Sequence, residues 1–341
     1  QGPATSSTPV PSVATSSTRA ASATSQAARD LPDPHTLRGL TEVPELPDPK
    51  PVEGSSAQKL PVTVTDVEGN KVTIKSTSRI LALDLYGTLS RTLIGLGLGD
   101  KIVGRTVSST EKQLHDRPVV TENGHVLNVE AVAGLKPSVI IADRSVGPKE
   151  ALDQLRKSGI PVVLVDPHRS VGSTPQLIRT IADAVGKPDA GEALVKRTQE
   201  QIDQAKKQIA GWKTAKPTRV AFLYVRGNAG VFFILGSENG ASELIQGVGA
   251  DDVASDKGIT TLVPANAESL VSINPDAIFV MRDGVASTGG MKGLLARAGV
   301  ANTTAGRKQR VISIPDGISL SFGPQTGEVL TAVAKALYGV K

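Results

Sequence analysis

The stretches EAVAGLKPSVIIAD (residues 130–143) and ESLVSINPDAIFVMR (residues 268–282) decide the fold, because they are two copies of one plan. In each, a glutamate (Glu130, Glu268) opens a short segment with one apolar face, a proline follows seven positions on (Pro137, Pro275), and a continuous apolar run comes next. Proline cannot continue a helix, so the segment before it reads as a helix that stops there. An unbroken apolar run reads as a strand covered on both faces, the mark of a parallel sheet. The copying continues outward. Ahead of the first copy, SRILALD (78–84) reads as a buried strand and TLSRTLIGLGLGD (88–100) as a helix; ahead of the second, TRVAFLYV (218–225) and NGASELIQGVGADD (239–252) stand in the same order. Behind them, KEALDQLRKSGI (149–160) and PVVLVD (161–166) answer MKGLLARAGV (291–300) and RVISIPD (310–316). Strand and helix alternating twice over predict an α/β protein of two Rossmann-like lobes, each a mainly parallel sheet flanked by helices.

Between the copies, DAGEALVKRTQEQIDQAKKQIAGWK (189–213) repeats Leu194, Thr198, Ile202, Ala205, Ile209 and Trp212 at three- and four-residue steps, which predicts one long helix with a single buried stripe. Asp189 and Glu192 suggest a capping box at its start, and Gly211 and Pro217 its end. Such a helix, about 33 Å long, would join the lobes as a stiff brace. The expected organisation is a disordered tether over 1–57, a first lobe over 58–187, the connecting helix over 188–216 and a second lobe over 217–341.

A chain of 341 residues has room for two such domains. Its net charge of +5 is spread without a dense basic run, so nucleic acid is not indicated. With no cysteine, there is no disulfide framework, and His, Tyr, Met and carboxylates are left as the available metal ligands. No apolar run approaches the ~20 residues needed to cross a bilayer. The Ser/Thr/Pro/Ala-rich start buries too little to order itself and fits either the spacer of an exported protein held at a surface or a plain floppy terminus. Gln1 opens without a charged or apolar leader, so any export signal is expected to have been removed.

From Leu60 onward the chain resembles the substrate-binding proteins of metal-chelate ABC importers, which carry siderophores, cobalamin or haem. The resemblance rests on the hairpin PVTVTDVEGNKVTIK (61–75) turning at Glu68, Gly69 and Asn70, the strand RILALD, the paired Glu-to-Pro segments and the single connecting helix. NGHVLNVEAVAGLKP (123–137), FLYVR (222–226) and GGMKGLLARAGVANTTAGRKQRVISIPDGISLSFGPQTGEVL (289–330) are most similar to its haem-binding branch, the corynebacterial haemin-binding lipoproteins of the HmuT type. This implies a non-enzymatic, class III periplasmic-binding-protein fold. It also implies ferric protoporphyrin IX as transported ligand, permease and ATPase subunits as partners, and lipid anchoring to the outer face of the cytoplasmic membrane, of Gram-positive type. Upstream haem-capture surface proteins and a monomeric state complete the expectation. A siderophore or cobalamin is the alternative cargo.

In that branch a histidine and a tyrosine from opposite lobes ligate one haem iron, and the matching positions are His125 and Tyr224. Ligands of open α/β sheets sit beyond the carboxyl ends of the strands, where Tyr224 falls. Arg226, two residues on, shares its face and is expected to donate to the phenolate oxygen. On spacing alone, Tyr224 reads more readily as a ring packed on Phe222 or Phe232 with Arg226 solvated, and His125 as an exposed loop histidine. His115 and His168 compete for the cleft, and His35 falls in the tether. Arg226, Arg144, Arg169 and Arg282 follow strands at the expected end and are candidate partners for the haem carboxylates. Tyr86, Phe232, Phe233, Phe322 and Met291 are candidate apolar walls, although such residues are more often core. The resemblance makes Glu130 and Glu268 the permease-docking pair, one per lobe, while helix-start glutamates are also favoured by the macrodipole. The remote alternative is a haloacid-dehalogenase-like phosphatase, since RILALDLYGTLS offers Asp84 as nucleophile with Thr88 in place. Tyr86 stands where its acid is needed, and no strand-end lysine or paired acidic motif follows.

Overall fold

The first quoted stretch forms a helix, Val129–Gly134, and a strand, Val139–Ala142; the second forms a helix, Ala267–Ile273, and a strand, Ala277–Met281. The computed structural model describes residues 30–54 and 57–341. Asn128 and Asn266 cap the two helices by accepting the N–H of Ala131 (3.0 Å) and Ser269 (2.8 Å), so Glu130 and Glu268 both occupy the second helical position, exposed.

The duplication extends to sheet topology. In the first lobe the strands Ile102–Gly104, Ile80–Leu83, Val139–Ala142 and Val162–Leu164 lie side by side in that order, all parallel. In the second, Asp251–Asp252, Arg219–Arg226, Ala277–Met281 and Val311–Ile314 repeat the order, again parallel. Both faces of each sheet carry their own apolar cluster, which is why the strands read as unbroken apolar runs. The second lobe adds Val231–Ile234, antiparallel to Arg219–Arg226, and Val263–Pro264 beyond it.

The connecting helix runs Pro188–Trp212, 25 residues or about 37 Å, and buries Leu194, Thr198, Ile202, Ala205 and Ile209 as its stripe predicts. Its first turns belong to the first lobe's core and its last turns to the second's. The expected capping box is absent. Lys187 is the N-cap and Pro188 opens the helix, so Asp189 lies within the first turn, and Glu192 turns outward to Arg179 (2.8 Å).

The structure departs from the expected tether over most of its second half; residues 1–29, 55 and 56 lie outside the described residues. Leu40–Glu42 adds a parallel edge strand to the second lobe against Val311–Ser313, and Val43 enters that lobe's core. The chain then crosses to the first lobe. Pro47 O accepts from Gln325 of the second lobe (2.6 Å), the Asp48 carboxylate accepts from Lys112 N (2.7 Å) and Gln113 N (2.9 Å) of the first, and Val52 joins the first lobe's core. Proline removes backbone donors, so this segment makes little structure of its own, and it meets the second lobe through the Pro47 carbonyl and the first through the Asp48 carboxylate.

Beneath the cleft the lobes touch directly. A Cβ at Gly317 would lie 1.7 Å from Thr110 Oγ1, so only glycine permits that approach. Arg91 donates across the boundary to Gln325 Oε1 at 2.6 Å. Beside it, buried Glu111 lies 3.4 Å from the Arg91 guanidinium, and burial pushes its carboxyl up to about 7 against that cation.

Candidate functional site

A cleft of about 600 Å³ opens between the lobes at the carboxyl ends of both sheets. From the first lobe, Tyr86 reaches it three residues past the strand Ile80–Leu83, and His125 from the tight hairpin joining Thr121–Glu122 to Val126–Leu127. Asn123 and Gly124 turn that hairpin at φ of 50° and 86°, and His125 O accepts from Gly147 N (2.8 Å), which fixes the loop while its side chain stays exposed. From the second lobe, Tyr224 projects from the last turn of pleat of Arg219–Arg226, directly opposite Phe233 on the neighbouring strand. His125 and Tyr224 therefore line one cleft from opposite walls.

Arg226 covers Tyr224 but does not donate to its phenol oxygen as expected. Its guanidinium carbon lies 4.9 Å from the ring centroid, a cation–π contact. Its Nη2 donates to Asp316 Oδ2 (2.7 Å) and approaches Met281 Sδ (3.5 Å). Burial raises the Asp316 carboxyl, with Arg226 opposing.

Several other expectations fail for identifiable reasons. Arg169 is buried, donating to Asp84 (2.9 Å) and Asp143 (2.7 Å) while its guanidinium underlies the Tyr86 ring at 5.0 Å. Burial and the nearby carboxylates hold the Tyr86 phenol above its ordinary range. Asp84, the nucleophile of the phosphatase reading, is fully buried, paired to Arg169 and bonded to Gly87 N and Thr88 N. Arg144 forks onto Glu68 (2.7 and 2.8 Å) and holds its carboxyl low; neither it nor Arg282, which is bonded to Glu45, lines the cleft. Phe232 fails by pleat parity: it faces opposite to Phe233, in the core beneath Arg297. Phe322 is buried in the cluster below the cleft, and Met291 packs on the far face of the sheet. His115 and His168 are exposed away from the cleft lining, and half-buried His35 sits between Asp33 (2.9 Å) and Asp276 (3.7 Å).

Sequence reasoning missed Met281 and Asp316 on the cleft wall, although both close or follow a parallel strand at its carboxyl end, the signal that found Tyr224. It also missed Val107 of the first lobe and Leu262 of the second, exposed apolar side chains in the cleft lining.

A model of the periplasmic binding protein family matches residues 85–317. The crystal structure of heme binding protein HmuT is 48% identical, with a TM-score of 0.89 over 91% of this chain and 100% of that one. Crystal structures of HmuT variants with a histidine, a tyrosine or an arginine changed are also matched. The apo periplasmic heme-binding protein RhuT from Roseiflexus sp. RS-1 is 32% identical, with a TM-score of 0.72 over 77% of this chain and 99% of that one. An uncharacterised ABC transporter substrate-binding lipoprotein of Bacillus subtilis (strain 168), YvrC, is 27% identical over 82% of this chain and 86% of its own. With its two-lobed α/β fold, its cleft between the lobes and these relatives, the chain belongs to the periplasmic binding protein family.

Proposed function

We propose that the chain is the haem-binding component of an ABC-type importer, holding haem iron between His125 and Tyr224 and delivering the haem to a membrane permease. The observation that carries this reading is that these two side chains, from opposite lobes, line one cleft of suitable size. Neutral imidazole and a tyrosine oxygen are both axial ligands to haem iron, and the Arg226 guanidinium, 4.9 Å from the Tyr224 ring centroid, sets positive charge beside the oxygen that would coordinate. The HmuT variants support the assignment. Their altered histidine, tyrosine and arginine are spaced along that chain by 99 and 2 residues, the intervals between His125, Tyr224 and Arg226. Among the described residues no group of three or more His, Asp or Glu is placed to hold a metal ion.

Titrating the protein with haemin is expected to shift and sharpen the Soret band, and Tyr224→Ala to lose the phenolate charge-transfer band with about 100-fold weaker binding. A Tyr224→Ala spectrum identical to wild type removes Tyr224 as a ligand. No Soret response in either protein turns the reading to a siderophore or cobalamin.

On this reading the chain is a carrier and not an enzyme. Exposed Glu130 and Glu268, equivalent in the two lobes, would meet a permease of matching two-fold symmetry. Reversing both to arginine is expected to leave the haemin titration unchanged and to abolish stimulation of the reconstituted transporter's ATPase; unaltered stimulation rejects the docking role. The residues ahead of Asp30 would act as a spacer to a lipid anchor at the outer face of the membrane, as the lipoprotein relative suggests.

A further inference from the structure

The ligand proposed above bears two carboxylates, and the four arginines that the sequence offered as partners for them are all engaged with carboxylates of the chain itself. Arg226 is held by Asp316, Arg169 by Asp84 and Asp143, Arg144 by Glu68 and Asp153, and Arg282 by Glu45, with Asp283 3.7 Å away. Among the described residues no lysine lines the cleft. Apart from His125, Arg226 and the two acids Asp283 and Asp316, its polar lining is uncharged hydroxyl and amide groups, among them Tyr86, Ser108, Thr110, Asn123, Asn239 and Ser319.

Of the four arginines, only Arg226 reaches the cleft, and its seat is closed on several sides. The Tyr224 ring lies under the guanidinium and Asp316 grips Nη2. Gly284 gives up its Cβ to make room, since a methyl there would lie 2.2 Å from Nη1. Asp316 is itself anchored, its Oδ1 accepting from Asp283 N at 2.8 Å. A ligand carboxylate would have to compete for the guanidinium with an intramolecular partner that pays no association cost.

We infer that the cleft recognises the metal and the apolar macrocycle, leaves the ligand's carboxylates without a cationic partner, and owes this to Asp316, which occupies Arg226. The inference rests on the haem reading and narrows it. The ligand class is metalloporphyrins irrespective of their acidic side chains, with those side chains directed to the mouth of the cleft or met by hydroxyl and amide groups. Binding without ion pairs is also insensitive to salt.

The test measures affinities of the intact protein for iron(III) coproporphyrin, haemin and haemin dimethyl ester, which carry four, two and no carboxylates, in one detergent-containing buffer at low and high salt. Wild type is expected to bind all three within about threefold, with no salt dependence. Asp316→Asn, which releases Arg226, is expected to prefer haemin over its ester by threefold or more. Wild-type affinity rising tenfold or more with carboxylate number, or falling steeply with salt, overturns the inference. A flat series in both proteins overturns the role of Asp316, because a merely structural loss weakens all three ligands alike. Failure of wild type to bind any of the three is the separate failure of the haem reading.

Discussion

Deleting residues 1–54 is expected to lower the melting temperature by about 5–10 °C and to broaden the distribution of distances between the two lobes. The segment from Pro34 to Val52 is the chain's second tie between the lobes, separate from the connecting helix. It supplies an edge strand and a buried valine to the second lobe, then a carboxylate cap and another buried valine to the first. Val43 and Val52 are 1% and 6% exposed, and burying such side chains stabilises by about 1.5–3 kcal/mol each. Ordering an extended segment offsets much of this, which leaves a net loss of about 2–4 kcal/mol on deletion. Stability alone does not separate a tie from an ordinary terminal extension. The distance measurement does, with spin labels at Val107 and Leu262, which are about half exposed on facing lobes. If the segment ties the lobes, the truncated protein shows a wider spread; if it only packs on each lobe, the melting point falls and the distances do not change. Asp48→Ala, which removes the cap on Lys112 and Gln113 while sparing both valines, is expected to broaden the distances with little change in melting.

This segment also marks where sequence legibility stops. The parallel strands, the proline-stopped helices and the stripe of the connecting helix are written in local periodicity, because each answers to contacts a fixed number of residues apart. Residues 30–54 carry no such period. Their structure depends on donors far away in the chain, Lys308 Nζ reaching His35 O, Gln325 reaching Pro47 O and Arg197 reaching Lys50 O, so composition alone reads them as disordered. The cleft divides in the same way. Tyr224 is found from its place at a strand end, but choosing Phe233 over Phe232 requires the register of a hairpin, and choosing Met281 over Met291 requires knowing which face a helix covers. Arg169 resembles any strand-end cation until the fold brings it acids from 85 and 26 positions earlier.

Those acids make Arg169 the side chain whose loss should be felt most. Arg169→Ala is expected to destabilise the protein by about 3–5 kcal/mol at neutral pH, because it leaves two buried carboxylates, Asp84 and Asp143, with no cation between them. Burial and the Asp84 charge already push Asp143 up to about 6, with Arg169 holding it down. A buried acid whose folded value lies above its unfolded one is bound more tightly to its proton in the folded state. Its folded protein therefore loses stability as pH rises from the ordinary carboxylate range to about 6, and no further above that. Removing the guanidinium extends the loss to higher pH. The gap in melting temperature between variant and wild type should accordingly be smaller near pH 4, where Asp143 carries its proton, and reach about 10 °C above neutrality. Asp143→Asn gives the contrast. It deletes one buried charge at nearly constant shape and leaves Arg169 paired with Asp84, so its stability at neutral pH should stay within about 1 kcal/mol of wild type. Equal damage from both substitutions, or an Arg169→Ala gap that does not change with pH, would show that shape and not charge governs this site. The consequence reaches the cleft, since the Tyr86 ring rests on the Arg169 guanidinium at 5.0 Å. Arg169→Ala should therefore weaken haemin binding at temperatures where the variant is still folded, and Asp143→Asn should not.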